Sequence, residues 1–123
     1  MKYSFGTDKI VDPMNSNKTR DVAYISLDDH EKYGEFFIDE IRNLKLDYLK
    51  LIVSQLEKLQ TVEISQYDFG FEVYNFDCTR EKCKVLNTLE GWKVECELPT
   101  EDIYRLLRDW RDYLINFETT KSS

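Results

Sequence analysis

The run Trp92-Lys93-Val94-Glu95-Cys96-Glu97-Leu98 alternates apolar and charged residues without a break, and Pro99-Thr100-Glu101-Asp102 follows it directly. Strict alternation marks a strand with one face in the core and one in water, because successive side chains point to opposite faces. Proline ends the ladder, and Thr100 followed by two acids predicts a helix start. The hydroxyl caps an open N–H, and the carboxylates face the positive end of the helix dipole. Beyond it Ile103, Leu106, Leu107, Trp110, Leu114 and Phe117 recur every three or four residues. They form one apolar stripe, with Arg105, Arg108 and Arg111 mainly off it. Residues 119–123 read as a flexible tail. A half-buried strand running into an amphipathic helix predicts a helix packed across one face of a sheet.

Working back from this strand, Glu90-Gly91 and Thr79-Arg80-Glu81-Lys82 read as turns, with a strand from Cys83 to Thr88 between them. Tyr67, Phe69, Phe71 and Val73 share one parity, and Tyr74, Phe76 and Cys78 the other. Val62 and Ile64 read as the start of a strand whose parity then flips, which places a bulge or turn within Gln66 to Gly70. An antiparallel meander is the expected result. Further upstream the period is helical: Tyr33, Phe36, Phe37, Ile41 and Leu44, then Leu49, Ile52, Val53, Leu56 and Leu59. One helix from Asp29 to Gln60 would run about 48 Å at 1.5 Å per residue, too long for one small domain. A break near Asn43 to Leu46 is therefore expected, leaving two N-terminal helices, the first opened by Asp28 and Glu31 in a capping-box arrangement. Val22 to Leu27 reads as a buried strand and Lys2 to Phe5 as a short edge strand. Residues 7–20, polar and carrying Pro13, read as a long loop. The expected fold is a single α+β domain over residues 1–123.

Composition narrows the chemistry. The chain carries 24 Asp and Glu against 17 Lys and Arg, a net charge of −7. That balance argues against direct nucleic-acid binding, which leaves a basic footprint. Hydrophobic residues at 41% keep the chain on the folded side of the disorder boundary. No apolar run approaches the length of a membrane span, and Met1-Lys2-Tyr3 opens no signal peptide, so a cytoplasmic protein is expected. Three cysteines, Cys78, Cys83 and Cys96, are an odd number and read as reduced thiols. Cys78 and Cys83 flank a hairpin turn, so a cross-strand pair is geometrically open. Cys-x4-Cys with a lone Cys96 and a single distant His30 does not make a zinc set. His30 is also the only imidazole for nucleophilic or acid–base work. No phosphate-binding loop, EF-hand, HExxH or nucleophile-elbow pattern occurs, so no cofactor, metal or catalytic residue is expected.

Charge is more informative in its placement. Between Asp21 and Glu40 stand seven acids (Asp21, Asp28, Asp29, Glu31, Glu35, Asp39, Glu40) and one base, Lys32, a local net charge of −6. Glu31, Glu35 and Asp39 fall four residues apart and would stack on one helix face, where like charges repel mildly. From Thr61 to Thr79 the acids Glu63, Asp68, Glu72 and Asp77 meet no base, and Tyr67, Phe69, Tyr74 and Phe76 lie among them. A solvated face accounts for either cluster. Aromatics among acids also suit a surface that meets a basic protein, with rings as anchors and carboxylates steering the encounter. The candidate partner-binding residues are Asp28, Asp29, Glu31, Glu35, Asp39, Tyr67, Asp68, Glu72 and Asp77.

With its size, its acidity, the strand–helix–meander–helix order and the Trp92-to-Leu98 strand running into the Trp110 helix, the chain resembles the immunity proteins of bacterial contact-dependent and polymorphic toxin systems. The resemblance covers the chain loosely and carries no diagnostic motif. It implies binding without catalysis: an inhibitor that covers the active site of a cognate toxin, often a basic nuclease, in the producing cell. Two alternatives stand beside it. One is a nucleic-acid mimic of the anti-restriction or anti-CRISPR kind, for which −7 is a modest charge. The other is a small metal-dependent enzyme built on the Asp28–Glu31 cluster. Oligomeric state is open.

Overall fold

Alternation over residues 66–99 does build a sheet, and helical spacing on either side builds the layer that covers it. The computed structural model describes residues 3–12, 14–27, 41–70 and 73–122. In chain order these form β1 (Tyr3–Asp12), β2 (Asn15–Leu27), α1 (Leu46–Gln60), β3 (Gln66–Gly70), β4 (Tyr74–Thr79) and β5 (Lys82–Asn87). A 3-10 turn (Thr88–Glu90), β6 (Lys93–Pro99) and α2 (Thr100–Ser122) complete the order. The fold is α+β, with two antiparallel sheets: a ribbon of β1 and β2, and a meander ordered β3-β4-β5-β6.

The core lies between the inner face of the meander and the two helices. α1 buries Leu49, Ile52, Val53, Leu56 and Leu59, the stripe expected of it, and α2 buries Ile103, Leu106, Leu107 and Trp110. The helices pack on each other, α1 also against β3 and α2 against β5 and β6. From the sheet come Phe69, Phe76, Cys78, Cys83, Val85 and Leu98. Phe69 and Phe76 are register partners with rings stacked 4.9 Å apart.

The second expected helix starts at Leu46: Leu44 N–H donates to the Ile41 carbonyl, and Lys45, just before the helix, is extended at ψ 147°. The first of the two expected N-terminal helices falls on residues 28–40, outside the described residues.

Four expectations are corrected. Residues 7–20 are not a loop but the outer part of the β1–β2 ribbon, paired from Tyr3↔Leu27 to Asp12↔Asn15. The ribbon meets the body through its inner part and through Thr7, whose hydroxyl lies 2.7 Å from the Tyr113 hydroxyl on α2. Tyr3, Phe5, Ala23 and Ile25 pack into the core, and the Phe5 ring sits 5.3 Å from Trp110 and 5.4 Å from Tyr113. Beyond them, residues 8–11 and 18–21 are exposed. Exposure at successive positions leaves no apolar face to reveal this outer part. Gly6 serves this ribbon, because the ring of its partner Tyr24 lies where a Cβ would stand.

Second, Val62 and Ile64 are not strand residues, and Gln66 to Gly70 holds neither bulge nor turn but is β3 itself, in unbroken register with β4. Val62 has φ 65° and ends α1: its N–H donates to the Leu59 carbonyl and that of Glu63 to Lys58, the paired bonds of a Schellman cap. Third, Thr100 is not a cap but a buried helical residue. Its hydroxyl donates to the Thr79 carbonyl at 2.7 Å and its N–H to that of Glu81 at 3.1 Å, which ties α2 to the β4–β5 hairpin. Fourth, α2 continues to Ser122 in place of a tail from residue 119.

Candidate functional site

A meander with helices on one face leaves its other face to be explained, and here that face is polar. Register places Asp68 opposite Asp77, Asp77 opposite Lys84, and Lys84 opposite Glu97, a charged row crossing all four strands. Asp68, Lys84 and Glu97 are exposed and Asp77 half-buried. Gln66 Nε2 donates to Asp77 Oδ1 at 2.7 Å, and Lys84 Nζ lies 4.0 Å from Glu97 Oε1. Like charges directly opposite each other on antiparallel strands destabilise the pairing. Asp68 and Asp77 are therefore an unfavourable contact on an open face.

Of the sequence candidates, this brings Asp68 and Asp77 together and separates them from Tyr67. Tyr67 stands on the inner face, packed against the core, and burial is the first cause that pushes its phenol up to about 12. Aromatics and acids that interleave along the chain sort to opposite faces, because the strand period is two. Asp28, Asp29, Glu31, Glu35, Asp39 and Glu72 lie outside the described residues. The run without bases from Thr61 to Thr79 is not without bases in space, since the next strand sets Lys84 beside Asp77.

Sequence reasoning missed the apolar surface at the β5–β6 connection. Leu89 is 77% exposed, Trp92 56% and Val94 45%. Val94 and Trp92 were expected on the core face with Cys96 and Leu98. The register shows otherwise: Val85 pairs with Cys96 but Leu86 with Val94, so Glu95 is an extra residue on β6. Such a bulge flips the faces beyond it. Val94 thus joins Leu86 on the outer face, while Cys96 and Leu98 stay inside. The only sequence signal was Gly91, whose φ of 67° marks a left-handed turn, and Trp92 follows it at φ 63°.

The three cysteines share the inner face. Cys78 and Cys83 are register partners, both buried and both free thiols; Cys96 is half-buried. A thiol hydrogen bond between the pair, then burial, raises Cys83 far above the usual range, and burial pushes Cys96 up to about 11. Cys83 and Cys96 are therefore poor nucleophiles, since reactivity follows the thiolate, and burial shields Cys78 from reagents. Among the described residues no group of three or more His, Cys, Asp or Glu is placed to hold a metal ion. An open cleft of about 340 Å³ is lined by Glu81, Lys82, Glu97, Leu98 and Pro99. Among the described residues no helix is long and apolar enough to cross a membrane.

Comparison of the chain with protein-family models, with curated proteins and with solved structures returns no match.

Proposed function

We propose that this chain is an inhibitory binding protein of the immunity type, which neutralises a cognate bacterial toxin in the cytoplasm of the producing cell by covering its active site. The observation that carries this reading is the placement of Asp68 directly opposite Asp77 on the outer sheet face. Lys84 opposite Asp77 and the Gln66 hydrogen bond offset that like-charge pair on one side only, and a docking cationic surface would offset it from Asp68, so it favours a basic partner, such as a nuclease-type toxin. The net charge of −7 steers the same encounter. Free thiols at Cys78, Cys83 and Cys96 suit a reducing compartment. The protein acts by occlusion and does no chemistry of its own.

The test is affinity capture from a lysate of the source cell at low and at high salt, followed by purification of the partner and titration of its activity. Loss of activity at one-to-one stoichiometry, with Asp68→Lys and Asp77→Lys each slowing association and flattening its salt dependence, is the expected result. A partner that keeps full activity when saturated with the chain refutes inhibition. Association insensitive to both substitutions moves the contact away from this face.

A further inference from the structure

Three departures from what folding alone favours meet at the β5–β6 connection. Trp92 takes a left-handed backbone conformation that L-residues with large side chains avoid, one step after Gly91 in the same conformation. The bulge at Glu95 turns Val94 outward beside Leu86. Leu89, Trp92 and Val94 are all exposed within six residues of chain. Neither strain nor exposure of this kind helps the sheet: asparagine or glycine at Trp92 would fit the turn better, and an unbulged strand would bury Val94.

The base of the connection is firmly held. Thr88 donates its N–H and its hydroxyl to the Val73 carbonyl at 2.9 and 2.6 Å, Asn87 Oδ1 accepts from the Leu89 N–H at 3.0 Å, and Asn87 Nδ2 reaches Glu95 at 3.4 Å. These bonds hold the backbone at the base of the tip, and exposed aromatic residues on a held backbone are the usual anchors of protein interfaces. Acids surround it: Glu90 and Glu95 flank the tip and Glu97 follows on β6, all exposed, against Lys93. β6 is an edge strand among the described residues and a poor template for strand pairing, since it is bulged, charged at Lys93, Glu95 and Glu97, and closed by Pro99. The contact is therefore made by the tip and not by the edge.

We infer that the Leu89–Val94 connection is a docking anchor whose occupant is a protein site with an apolar recess ringed by Lys or Arg, filled by Trp92 and Leu89 and paired with Glu90 and Glu95. This rests on the protein-binding reading above and names the part of the molecule that supplies its affinity.

The full chain, immobilised, is panned against a random dodecapeptide library displayed on phage. Enriched peptides are then titrated in solution against tryptophan emission, where buried Trp110 is a constant background and exposed Trp92 the reporter. Enriched sequences carry two or more Lys or Arg around an aromatic or aliphatic residue and shift the Trp92 emission to the blue. They bind Trp92→Asn about ten-fold more weakly or worse, and Glu90→Gln/Glu95→Gln about three-fold more weakly. Asparagine tolerates the positive φ, so that variant keeps its fold, and circular dichroism verifies it. Neutral or acidic peptides, unchanged binding to Trp92→Asn, or no enrichment at all overturns the inference. A wild-type dimer in sedimentation that Trp92→Asn dissolves does the same, since the occupant would then be a second copy. Failure of the toxin titration with these peptide results intact removes the immunity reading and leaves the anchor. The reverse outcome removes the anchor alone.

Discussion

At Val62, glycine should be more stable than alanine, the reverse of their order almost everywhere else in a helix. The residue sits just past α1 at φ 65°, where the Schellman bonds from the Val62 and Glu63 N–H groups hold it. An L-residue in this conformation costs about 1–2 kcal/mol, whereas glycine is penalised only by the freedom it gains when unfolded, about 0.5–1 kcal/mol. The valine is 64% exposed, so its removal gives up little burial, and alanine and glycine give up nearly the same amount. The difference between Val62→Gly and Val62→Ala isolates the backbone, and glycine should lead by about 0.5–1 kcal/mol. At about 4 °C per kcal/mol for a chain of this length, that is about 2–4 °C in Tm. Urea midpoints with a shared slope provide the assay. Ser54, exposed in the middle of α1, is the control, where alanine should lead glycine by about 1 kcal/mol. If alanine equals or beats glycine at both sites, the cap is not what ends α1, and the account of why Val62 leaves the sheet fails with it.

Three further outcomes follow from the same structure. Asp68→Lys replaces a like-charged cross-strand contact with an opposite-charged one and should raise the urea midpoint by the equivalent of about 0.2–1 kcal/mol, while slowing association with a basic partner; a lower midpoint contradicts the register. Tyr3 is raised from 10.0 to about 12, by burial first and then by the 2.5 Å hydrogen bond to Asp109, so the fold favours the neutral phenol. The resulting stability is complete below pH 10 and is lost as pH climbs towards 12. Tyr3→Phe should flatten the fall in urea midpoint over that window, and an unchanged slope counts against the contact. Cys78 and Cys83 should resist alkylation by iodoacetamide at pH 8 while the chain is folded, with Cys96 the slow exception, and all three should label in denaturant; intact mass reads the count.

How far the residues revealed the fold depends on whether each element has two environments to tell apart. α1 and α2 each separate a wet face from a dry one, and their buried residues are those the spacing picks out. The same holds for β4, β5 and the Cys96–Leu98 end of β6. Residues 8–11 and 18–21 of the ribbon are exposed at successive positions, so their sequence carries no period, and residues 7–20 read as loop. Val62 has the side chain of a strand residue, but the hydrogen bonds closing α1 outweigh that local preference. One extra residue at Glu95 then undoes the strongest alternation in the chain, because a bulge is set by the partner strand and leaves no local mark. The candidate surface was less legible still. Neighbours along a strand are on opposite faces, so Tyr67 and Asp68 never share one, and the base nearest Asp77 comes from β5. Charge cancelled across strands cannot be read along one of them.

Val62 and Trp92 are the two non-glycine residues with positive φ among the described residues, and the comparison between them limits what strain can mean. Both are exposed, and both pay a similar conformational cost. At Val62 the strain has a local return, two hydrogen bonds that satisfy helix carbonyls. Around Trp92 the neighbouring hydrogen bonds fix Thr88, Leu89 and Asn87, and the side chain that bears the strain is an indole placed in water between acids. Backbone strain alone therefore marks no site; strain together with an exposed anchor and a directed charge does. Relieving it should stabilise the protein at both positions, through Val62→Gly and Trp92→Asn, but only the second should weaken a partner's grip. Equal effects on binding would mean that the anchor is a turn like any other.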